Sequence, residues 1–336
     1  MYIKQIYTNC LSQASYYIES NGESVIIDPI RDSSLYMEFV NKRDSKVKYI
    51  FETHFHADFI SGHLDLSRLL NAPIVFGPDA NTNYDIIKSE HKQSFEIGKI
   101  KIQLLHTPGH TPESSCFLLY DEQGIEHAVF TGDTLFVGEV GRPDLAVSQN
   151  VSKEFLASQL YDSLHNILMK LKDETILYPG HGPGSSCGAN IGKETISTIG
   201  EQRINNYALQ QKNKSDFLDL VLNNLSSPPP YFLHDAKLNK EGYLDTDVII
   251  NKGLNKISSK NLEELIAQDI ILLDVRMPND FEKKHIINSI NIGKTPNSFA
   301  AWVGALIPFD KKIIIICHEQ DKYEVISRLA RIGYEN

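Results

Sequence analysis

Two imidazoles and a carboxylate occupy alternate positions in one short stretch of the sequence, at His54, His56 and Asp58. The preceding run, 47–51, is rich in β-branched and aromatic residues, which predicts a largely buried strand. The three side chains therefore lie on the loop that leaves this strand, where they can converge on one point. Imidazole and carboxylate together suit a divalent metal ion. We interpret the stretch as part of a metal site.

Three later apolar strands are predicted to end in loops that also carry a metal-type side chain. These side chains are His110, Asp133 and His181. Any one of the loops could be an ordinary polar loop, but four strand exits that each deliver imidazole or carboxylate make a stronger indication. Asp28, after another strand, is expected to tie loops beside the site. His63 is assigned to the surface or to the surroundings of the ligands rather than to the ligand set.

Composition and charge restrict the class of protein. The chain has 336 residues, of which 41% are hydrophobic and 23% charged, as in soluble globular proteins. Its net charge of -10 argues against nonspecific nucleic-acid binding and leaves small molecules as partners. No window approaches the roughly 20 apolar residues of a membrane span. Four widely spaced cysteines predict reduced thiols in a cytoplasmic protein.

The pattern of the chain changes after its middle. Prolines and serines at 226–230 exclude a regular helix or a central strand, and from about Ile257 a helix and two apolar runs alternate as in an α/β layered unit. We therefore predict a first domain over 1–235, a connector over 236–256 and a smaller α/β domain over 257–336.

The first domain resembles the metallo-β-lactamase superfamily in the order and context of its metal-type residues. Within that superfamily it is most similar to the persulfide dioxygenases fused to rhodanese domains, through the runs 53–63, 131–135, 141–145 and 180–184. The resemblance implies a four-layer αββα sandwich with a metal site at one edge of its sheets. It also implies oxidation of a low-molecular-weight thiol persulfide by dioxygen, as in sulfide detoxification.

One departure from the two-metal hydrolases of this superfamily concerns the metal. Those enzymes continue the motif with a further histidine, and here Phe59 stands at that position. Phenylalanine cannot ligate a metal, so a single ion is expected. The resemblance implies Fe(II) held by His54, His110 and Asp133, which is the two-histidine, one-carboxylate facial triad of oxygen-activating iron.

Five further residues receive site roles. The resemblance leaves His56, Asp58 and His181 to orient ligands and water around the iron. Arg142 is a candidate for binding an anionic substrate group, with a surface salt bridge as the equally weighted alternative. Cys187, just after His181, either exchanges sulfur at the site or is an inert buried thiol.

The second domain resembles rhodanese through residues 274–276, 281, 285–292, 317 and 328–334. Cys317 takes the place of the rhodanese cysteine, but the following loop holds two acids and neither Gly nor Arg, which would raise the pKa of the thiol. A vestigial or docking domain is therefore favoured over a catalytic one. The sequence stops at Asn336, short of a whole rhodanese domain, so we expect a fragment of a longer fusion with an active rhodanese domain further along.

The leading interpretation is thus an iron-dependent persulfide dioxygenase that produces sulfite and thiol. Coupling to rhodanese sulfur transfer would give thiosulfate, and glutathione, coenzyme A or another thiol could be the carrier. The enzymatic alternative is a zinc-dependent thioester hydrolase of the hydroxyacylglutathione hydrolase type. A sulfur-carrier or sensor module with a structural metal is disfavoured, because structural zinc sites are closed by four protein ligands. Homo-oligomer formation is left open.

Overall fold

The computed structural model describes residues 1–149, 151–188, 190–211, 213–223, 225–266, 268, 270–295 and 298–336. Two six-stranded sheets form its centre. The strands of the first sheet follow chain order: β1 (Tyr2–Thr8), β2 (Gln13–Ser20), β3 (Glu23–Ile27), β4 (Lys46–Phe51), β5 (Ile74–Phe76) and β6 (Ile87–Lys88). The second sheet runs in reverse order from β12 to β7: β7 (Ser94–Ile97), β8 (Ile100–His106), β9 (Ser115–Tyr120), β10 (Glu126–Gly132), β11 (Ile176–Pro179) and β12 (Ser197–Thr198).

The two sheets pack face to face over an apolar core. Because alternate side chains of a strand point to opposite faces, each sheet contributes one row of residues to this layer, including Phe51 from β4 and Phe117 from β9, whose ring centroids lie 4.6 Å apart. Helices cover the outer faces: α1 (Ser33–Arg43) and α2 (His63–Leu70) on the first sheet, and α3 (Lys153–Asn166), α4 (Ile199–Asn205) and α5 (Lys214–Leu222) on the second. The predicted αββα sandwich is confirmed.

Helix α3 shows why the covering helices form where they do. The Ser152 side chain accepts a hydrogen bond from the amide of Phe155, which satisfies one of the free amides at the helix start. Ala157, Leu160 and Leu164 then recur at helical spacing and are fully buried against the second sheet. A single turn of 3-10 helix, Leu168–Lys170, follows before β11.

The C-terminal part is a second α/β unit, as predicted. Helices α6 (Phe232–Glu241) and α7 (Thr246–Gly253) lead into a three-stranded parallel sheet of order β14-β13-β15. Its elements are α8 (Ser259–Ile266), β13 (Ile271–Asp274), α9 (Pro278–Lys283), β14 (Ile290–Asn291), α10 (Phe299–Leu306), β15 (Ile313–Ile316), a 3-10 turn (Glu319–Asp321) and α11 (Lys322–Ala330). Helix α6 runs across residues 235 and 236, where a boundary was predicted, and the domain limits stay a prediction.

A fully buried arginine joins the C-terminal unit to the sandwich. Arg31 follows β3, and its Nη1 donates to the Ala330 carbonyl at 3.2 Å and to Glu335 Oε1 at 2.8 Å. Its Nε donates to Thr246 Oγ1 at 3.0 Å, and Nη2 donates to the carbonyl of Leu244. Because these partners come from the segment between the units and from the end of the chain, one cation bonds all three parts.

No helix in the described part of the chain has the length and apolar content needed to cross a bilayer.

Candidate metal centre

The predicted site residues lie at neighbouring strand ends of the two sheets. His54 follows β4 of the first sheet, whereas Asp133 and His181 follow β10 and β11 of the second. The amide of Ser115 donates to the Thr53 carbonyl at 2.8 Å, and the amide of Gly180 donates to the Gly132 carbonyl at 2.8 Å. These backbone bonds hold the loops of different strands in a fixed relation.

The three predicted iron ligands are brought together. One ligand atom each from His54, His110 and Asp133 lies within 4.8 Å of the other two. Asp133 Oδ2 is 3.5 Å from His110 Nε2 and 3.9 Å from His54 Nε2, and each residue is at most 1% exposed. Within the described part of the chain, His54 Nε2 and both Asp133 oxygens have no hydrogen-bond partner. Buried polar atoms without partners are costly, so this donor set fits a metal ion.

A hydrogen-bond relay behind His54 sets its tautomer. The Thr53 hydroxyl oxygen lies 2.9 Å from His54 Nδ1, and the same hydroxyl donates to Asp28 Oδ2 at 2.8 Å. Since the hydroxyl hydrogen is used by Asp28, the hydroxyl oxygen accepts from His54 Nδ1–H, and Nε2 keeps its lone pair for a metal. Burial, and next the neighbouring histidines, hold the pKa of His54 well below its usual value. The ring is therefore neutral, as a metal ligand requires.

The other two imidazoles are oriented by backbone carbonyls. His110 Nδ1 donates to the carbonyl of Arg142 at 2.9 Å, and His181 Nδ1 donates to the carbonyl of Ser12 at 3.1 Å. Each bond fixes the ring and turns Nε2 towards the centre. The prediction that Asp28 ties loops beside the site is also confirmed. Asp28 follows β3, and its Oδ1 accepts a hydrogen bond from the amide of Thr53, which follows β4, at 2.7 Å.

A second cluster adjoins the first. His181 Nε2 lies 3.4 Å from Asp58 Oδ2 and 3.5 Å from Asp133 Oδ1. Asp58, His181 and Cys187 each place a ligand atom within 4.8 Å of the other two, and all three are buried. Burial, and then Asp58 and Asp133, raise the pKa of the Cys187 thiol well above its usual value. The thiol is therefore protonated in the metal-free chain. Its predicted sulfur exchange and the orienting roles of Asp58 and His181 stay predictions.

His56 faces a different set of groups. Its Nε2 lies 3.2 Å from Asp28 Oδ1 and 3.4 Å from Glu52 Oε2. Burial lowers the pKa of His56, but the two carboxylates outweigh burial and hold it well above the usual value. The Phe59 ring packs against the His56 ring, with centroids 4.3 Å apart. His56 thus belongs to a buried ion network behind the ligands.

Arg142 already uses its guanidinium within the chain. Nε and Nη2 form a bidentate pair with Asp144 at 2.7 and 2.8 Å, Nη1 donates to the Ser186 carbonyl at 3.4 Å, and Nη2 also donates to the Ser226 carbonyl at 2.5 Å. Contact with an anionic substrate would have to replace part of this set. That role stays a prediction, whereas the Arg142 carbonyl has a definite task in orienting His110.

Two glycines at the strand exits allow these loops to approach each other. Gly132 has φ +49°, and a Cβ there would overlap the Thr53 side chain. A Cβ at Gly180 would lie 2.7 Å from Asp133 Oδ1. Only a residue without a side chain fits both places.

Sequence reasoning missed two groups around the site. Glu52 is 1% exposed, and its Oε1 accepts from Ser61 Oγ at 2.6 Å and lies 3.5 Å from His63 Nδ1. A glutamate that directly ends an apolar strand was the available signal for it. The second group is Thr53, which the sequence analysis gives no role of its own, although a hydroxyl next to His54 is a signal for the relay. His63 is fully buried beside Glu52, so its predicted alternative at the surface is wrong, whereas its predicted place among the surroundings of the ligands agrees with the structure.

The cysteine of the second domain lies apart from this centre. Cys317 follows β15 and lines a cavity of about 540 Å³ whose walls include the four isoleucines of that strand. Burial, and next Asp321 and Glu319, raise the pKa of its thiol. The predicted effect of the acidic loop is thus present in the structure, and it disfavours a reactive thiolate.

Comparison with known proteins supports both parts of the fold. The metallo-beta-lactamase superfamily model matches residues 8–81 and 77–181, and the rhodanese-like domain model matches residues 258–336. A metallo-beta-lactamase structure from Staphylococcus aureus aligns with TM-score 0.85 and 32% identity, covering 100% of this chain and 96% of that one. The structure of ETHE1 from Myxococcus xanthus aligns with TM-score 0.61 and 30% identity, covering 71% of this chain and 98% of that one.

Other relatives are hydroxyacylglutathione hydrolases. A probable hydroxyacylglutathione hydrolase from Schizosaccharomyces pombe is 33% identical over 168 residues, which are 48% of this chain and 60% of that protein. A hydroxyacylglutathione hydrolase from Dictyostelium discoideum is 31% identical over 166 residues, covering 48% and 59%. The match thus spans about 60% of the length of these relatives. With the αββα sandwich, the buried His/Asp clusters and the superfamily match over half of its length, the chain belongs to the metallo-β-lactamase superfamily and carries a rhodanese-like domain at residues 258–336.

Proposed function

We propose that this chain is a mononuclear non-haem iron dioxygenase that converts a low-molecular-weight thiol persulfide to sulfite and thiol. The observation that carries the proposal is the ligand set of His54, His110 and Asp133, beside a buried phenylalanine at position 59. Two imidazoles and one carboxylate form the facial triad of iron oxygenases. Ferrous iron in such a triad supplies one-electron chemistry towards dioxygen and keeps coordination positions open for substrate. A structural zinc site would instead be closed by four protein ligands.

The chain's own residues prepare this centre. The Thr53 hydroxyl and the Arg142 carbonyl accept hydrogen bonds from Nδ1 of His54 and of His110, and so direct each Nε2 inwards. Asp133 keeps both oxygens free of hydrogen bonds to the described residues, so its charge is available to the metal. The ligands are almost completely buried, which excludes bulk water and strengthens every electrostatic interaction inside.

The rhodanese-like domain supports a sulfur substrate. Rhodanese-like domains resemble enzymes that handle persulfide sulfur, and here the domain is bonded to the sandwich through Arg31. The thiol pKa of Cys317 is raised by burial and by its acidic loop. We therefore assign oxygen-dependent chemistry to the sandwich and leave sulfur transfer to thiosulfate as a separate, coupled step. The substrates proposed are a persulfide such as that of glutathione or coenzyme A, and dioxygen.

A second candidate is a zinc-dependent thioester hydrolase. Two observations favour it: the curated relatives are described as hydroxyacylglutathione hydrolases, and the Asp58, His181 and Cys187 cluster adjoins the first ligand set. Two metal ions could then share Asp133. Phe59 argues against this candidate, because it removes one nitrogen donor of the second ion.

One set of assays separates the candidates. A persulfide RSSH, dioxygen and water give RSH, sulfite and two protons, so the dioxygenase should consume dioxygen and form sulfite in equal amounts. We expect this from iron-loaded protein with glutathione persulfide. About one iron should bind per chain, because among the clusters of the described residues only the first combines two imidazoles with one carboxylate. Hydrolysis of a glutathione thioester by protein that holds two zinc ions, without dioxygen uptake on the persulfide, would overturn the proposal.

His110→Ala tests the ligand assignment directly. Loss of one of three protein ligands should abolish iron retention after gel filtration, while the far-UV circular dichroism stays that of the unaltered chain. His165→Ala removes a partly exposed imidazole from helix α3 and serves as the control. Full iron content in the His110→Ala protein would refute the assignment.

A further inference from the structure

A buried amide side chain contacts the metal-motif loop, defined here as residues 54–62, from outside both family matches. Asn239 lies on helix α6, within the segment 182–257 that neither family model matches, and is 1% exposed. Its Nδ2 donates to the carbonyl of His56 at 2.7 Å and to the carbonyl of Phe59 at 2.8 Å. Its Oδ1 accepts from the amide of Ser61 at 2.9 Å.

These three bonds use the hydrogen-bonding capacity of an asparagine almost completely. An asparagine side chain offers two N–H donors and one carbonyl acceptor, and here both donors and the acceptor are satisfied by backbone. The metal-motif loop is irregular between β4 and α2, so its buried carbonyls and amides lack the partners that a helix or sheet would supply. Asn239 supplies those partners on both sides of Asp58, the carboxylate that faces His181 at 3.4 Å.

The support behind Asn239 is itself fixed. Tyr84 donates from its hydroxyl to the Asn239 carbonyl at 2.5 Å. The C-terminal domain adds a fourth backbone bond to the metal-motif loop, from the Ile60 amide to the carbonyl of Arg331 at 2.7 Å. Next to α6, Gly304 of α10 packs so closely on Tyr231 that a Cβ there would meet its ring. The loop is therefore held by α6 and by the C-terminal domain, not by the sandwich alone.

We propose that Asn239 is a positioning residue of the metal centre, which fixes the metal-motif loop and with it His54 and Asp58. Both amide hydrogens and the oxygen of the side chain bond to backbone groups of the loop, so its effect on the site is exerted through the loop. The proposal concerns the same site as the proposed function, but it requires only that the site binds a divalent ion, whichever reaction follows.

The test measures metal binding on the full chain with Co(II) as the probe. Asn239→Ala should weaken Co(II) binding by about 10- to 100-fold, the usual effect of removing a group that orients ligands. It should also change the visible absorption bands of the bound Co(II), since these report ligand positions. Asn291→Ala is the matched control, because Asn291 Nδ2 likewise donates to two carbonyls, of Asp274 at 2.9 Å and Arg276 at 3.0 Å, within the C-terminal domain.

The control distinguishes positioning from general stability. Asn291→Ala should lower the free energy of unfolding in urea but leave Co(II) affinity and spectrum unchanged. If Asn239→Ala does not fold, the same measurement is made on Asn239→Ser, which leaves a smaller cavity than alanine does. Unchanged Co(II) affinity and spectrum in a folded Asn239 variant would overturn the proposal. Failure of both Asn239 variants to fold, with Asn291→Ala folded, would overturn it too, since Asn239 would then support the fold at large. The test does not measure dioxygen uptake, so a failure of the proposed dioxygenase reaction would leave the proposal about Asn239 intact.

Discussion

Replacing Thr53 with valine removes the relay behind His54 while keeping the shape of the side chain. The Thr53 hydroxyl donates to Asp28 Oδ2 at 2.8 Å and accepts from His54 Nδ1 at 2.9 Å, and the residue is 2% exposed. Valine supplies a methyl group in place of the hydroxyl. In the variant one carboxylate oxygen and one imidazole N–H are therefore left in a buried place that water does not reach.

The size of the effect follows from these two groups. A buried polar group that loses its partner costs about 1 to 3 kcal/mol, so Thr53→Val should lower the free energy of unfolding of the metal-free chain by about 2 to 6 kcal/mol. The Asp28 end remains partly satisfied, because the Thr53 amide still donates to Oδ1 at 2.7 Å. Metal affinity should fall by about 10- to 100-fold, since His54 loses the group that fixes its ring and tautomer.

Thr53→Ser is the matched variant, because it keeps the hydroxyl and loses only a methyl group. Chelator competition would give the metal affinity of each variant, and urea unfolding would give the stability of the metal-free proteins. We expect the serine variant to bind metal as the unaltered chain does and to lose about 1 kcal/mol of stability. Equal metal affinities for Thr53→Val and Thr53→Ser would refute the relay.

Three further substitutions test other parts of the structure by urea unfolding. Gly132→Ala should cost about 1 to 3 kcal/mol for its positive φ, with more for the overlap with Thr53; no loss of stability would contradict the described turn. Arg31→Met should lower the free energy of unfolding by about 3 kcal/mol, the low end for a broken buried ion pair, because Glu335 is partly exposed. An unchanged urea midpoint would contradict the role of Arg31 in joining the two units. Burial, and next Asp58, raise the pKa of Asp235 well above its usual value, so the folded state holds a proton that the unfolded chain releases. The stability that depends on this proton falls as the pH rises above about 4, the ordinary pKa of an aspartate. Asp235→Asn has no such proton to lose, so its free energy of unfolding should rise relative to that of the unaltered chain by up to about 1.4 kcal/mol per pH unit. A difference in stability that stays constant as the pH rises would exclude a buried neutral acid.

The sandwich and the candidate ligands could be predicted because their signals are local: apolar strands that end in histidine or aspartate can be identified from a few adjacent residues. His54 follows β4 of the first sheet, whereas His110 and Asp133 follow β8 and β10 of the second, so the packing of the two sheets brings the three side chains together. Phe59 could be interpreted equally directly, since its ring has no atom able to bind a metal.

The surroundings of the ligands depend on rotations and distant contacts, which the sequence does not display. The His56 ring turns towards Asp28 and Glu52 because those carboxylates are buried beside it, and one of them is 28 residues away. His63 lies in the interior, with Nδ1 3.5 Å from Glu52 Oε1. The role of Asn239 could not be predicted from its neighbours in the sequence, because it is a single polar residue in a helix. Its contacts are with a loop about 180 residues earlier, and only the fold brings the two together.

Arg31 also bears on how such two-part chains can be inherited or engineered. Its guanidinium is sealed from solvent by the connecting segment and by the tail of the rhodanese-like unit. If that unit were exchanged for a distant homologue, the buried guanidinium would be left without partners unless the substitute offered equivalent acceptors. Exchanges should therefore succeed when the substitute supplies these acceptors, and other chimeras should be stabilised by a neutral residue at position 31.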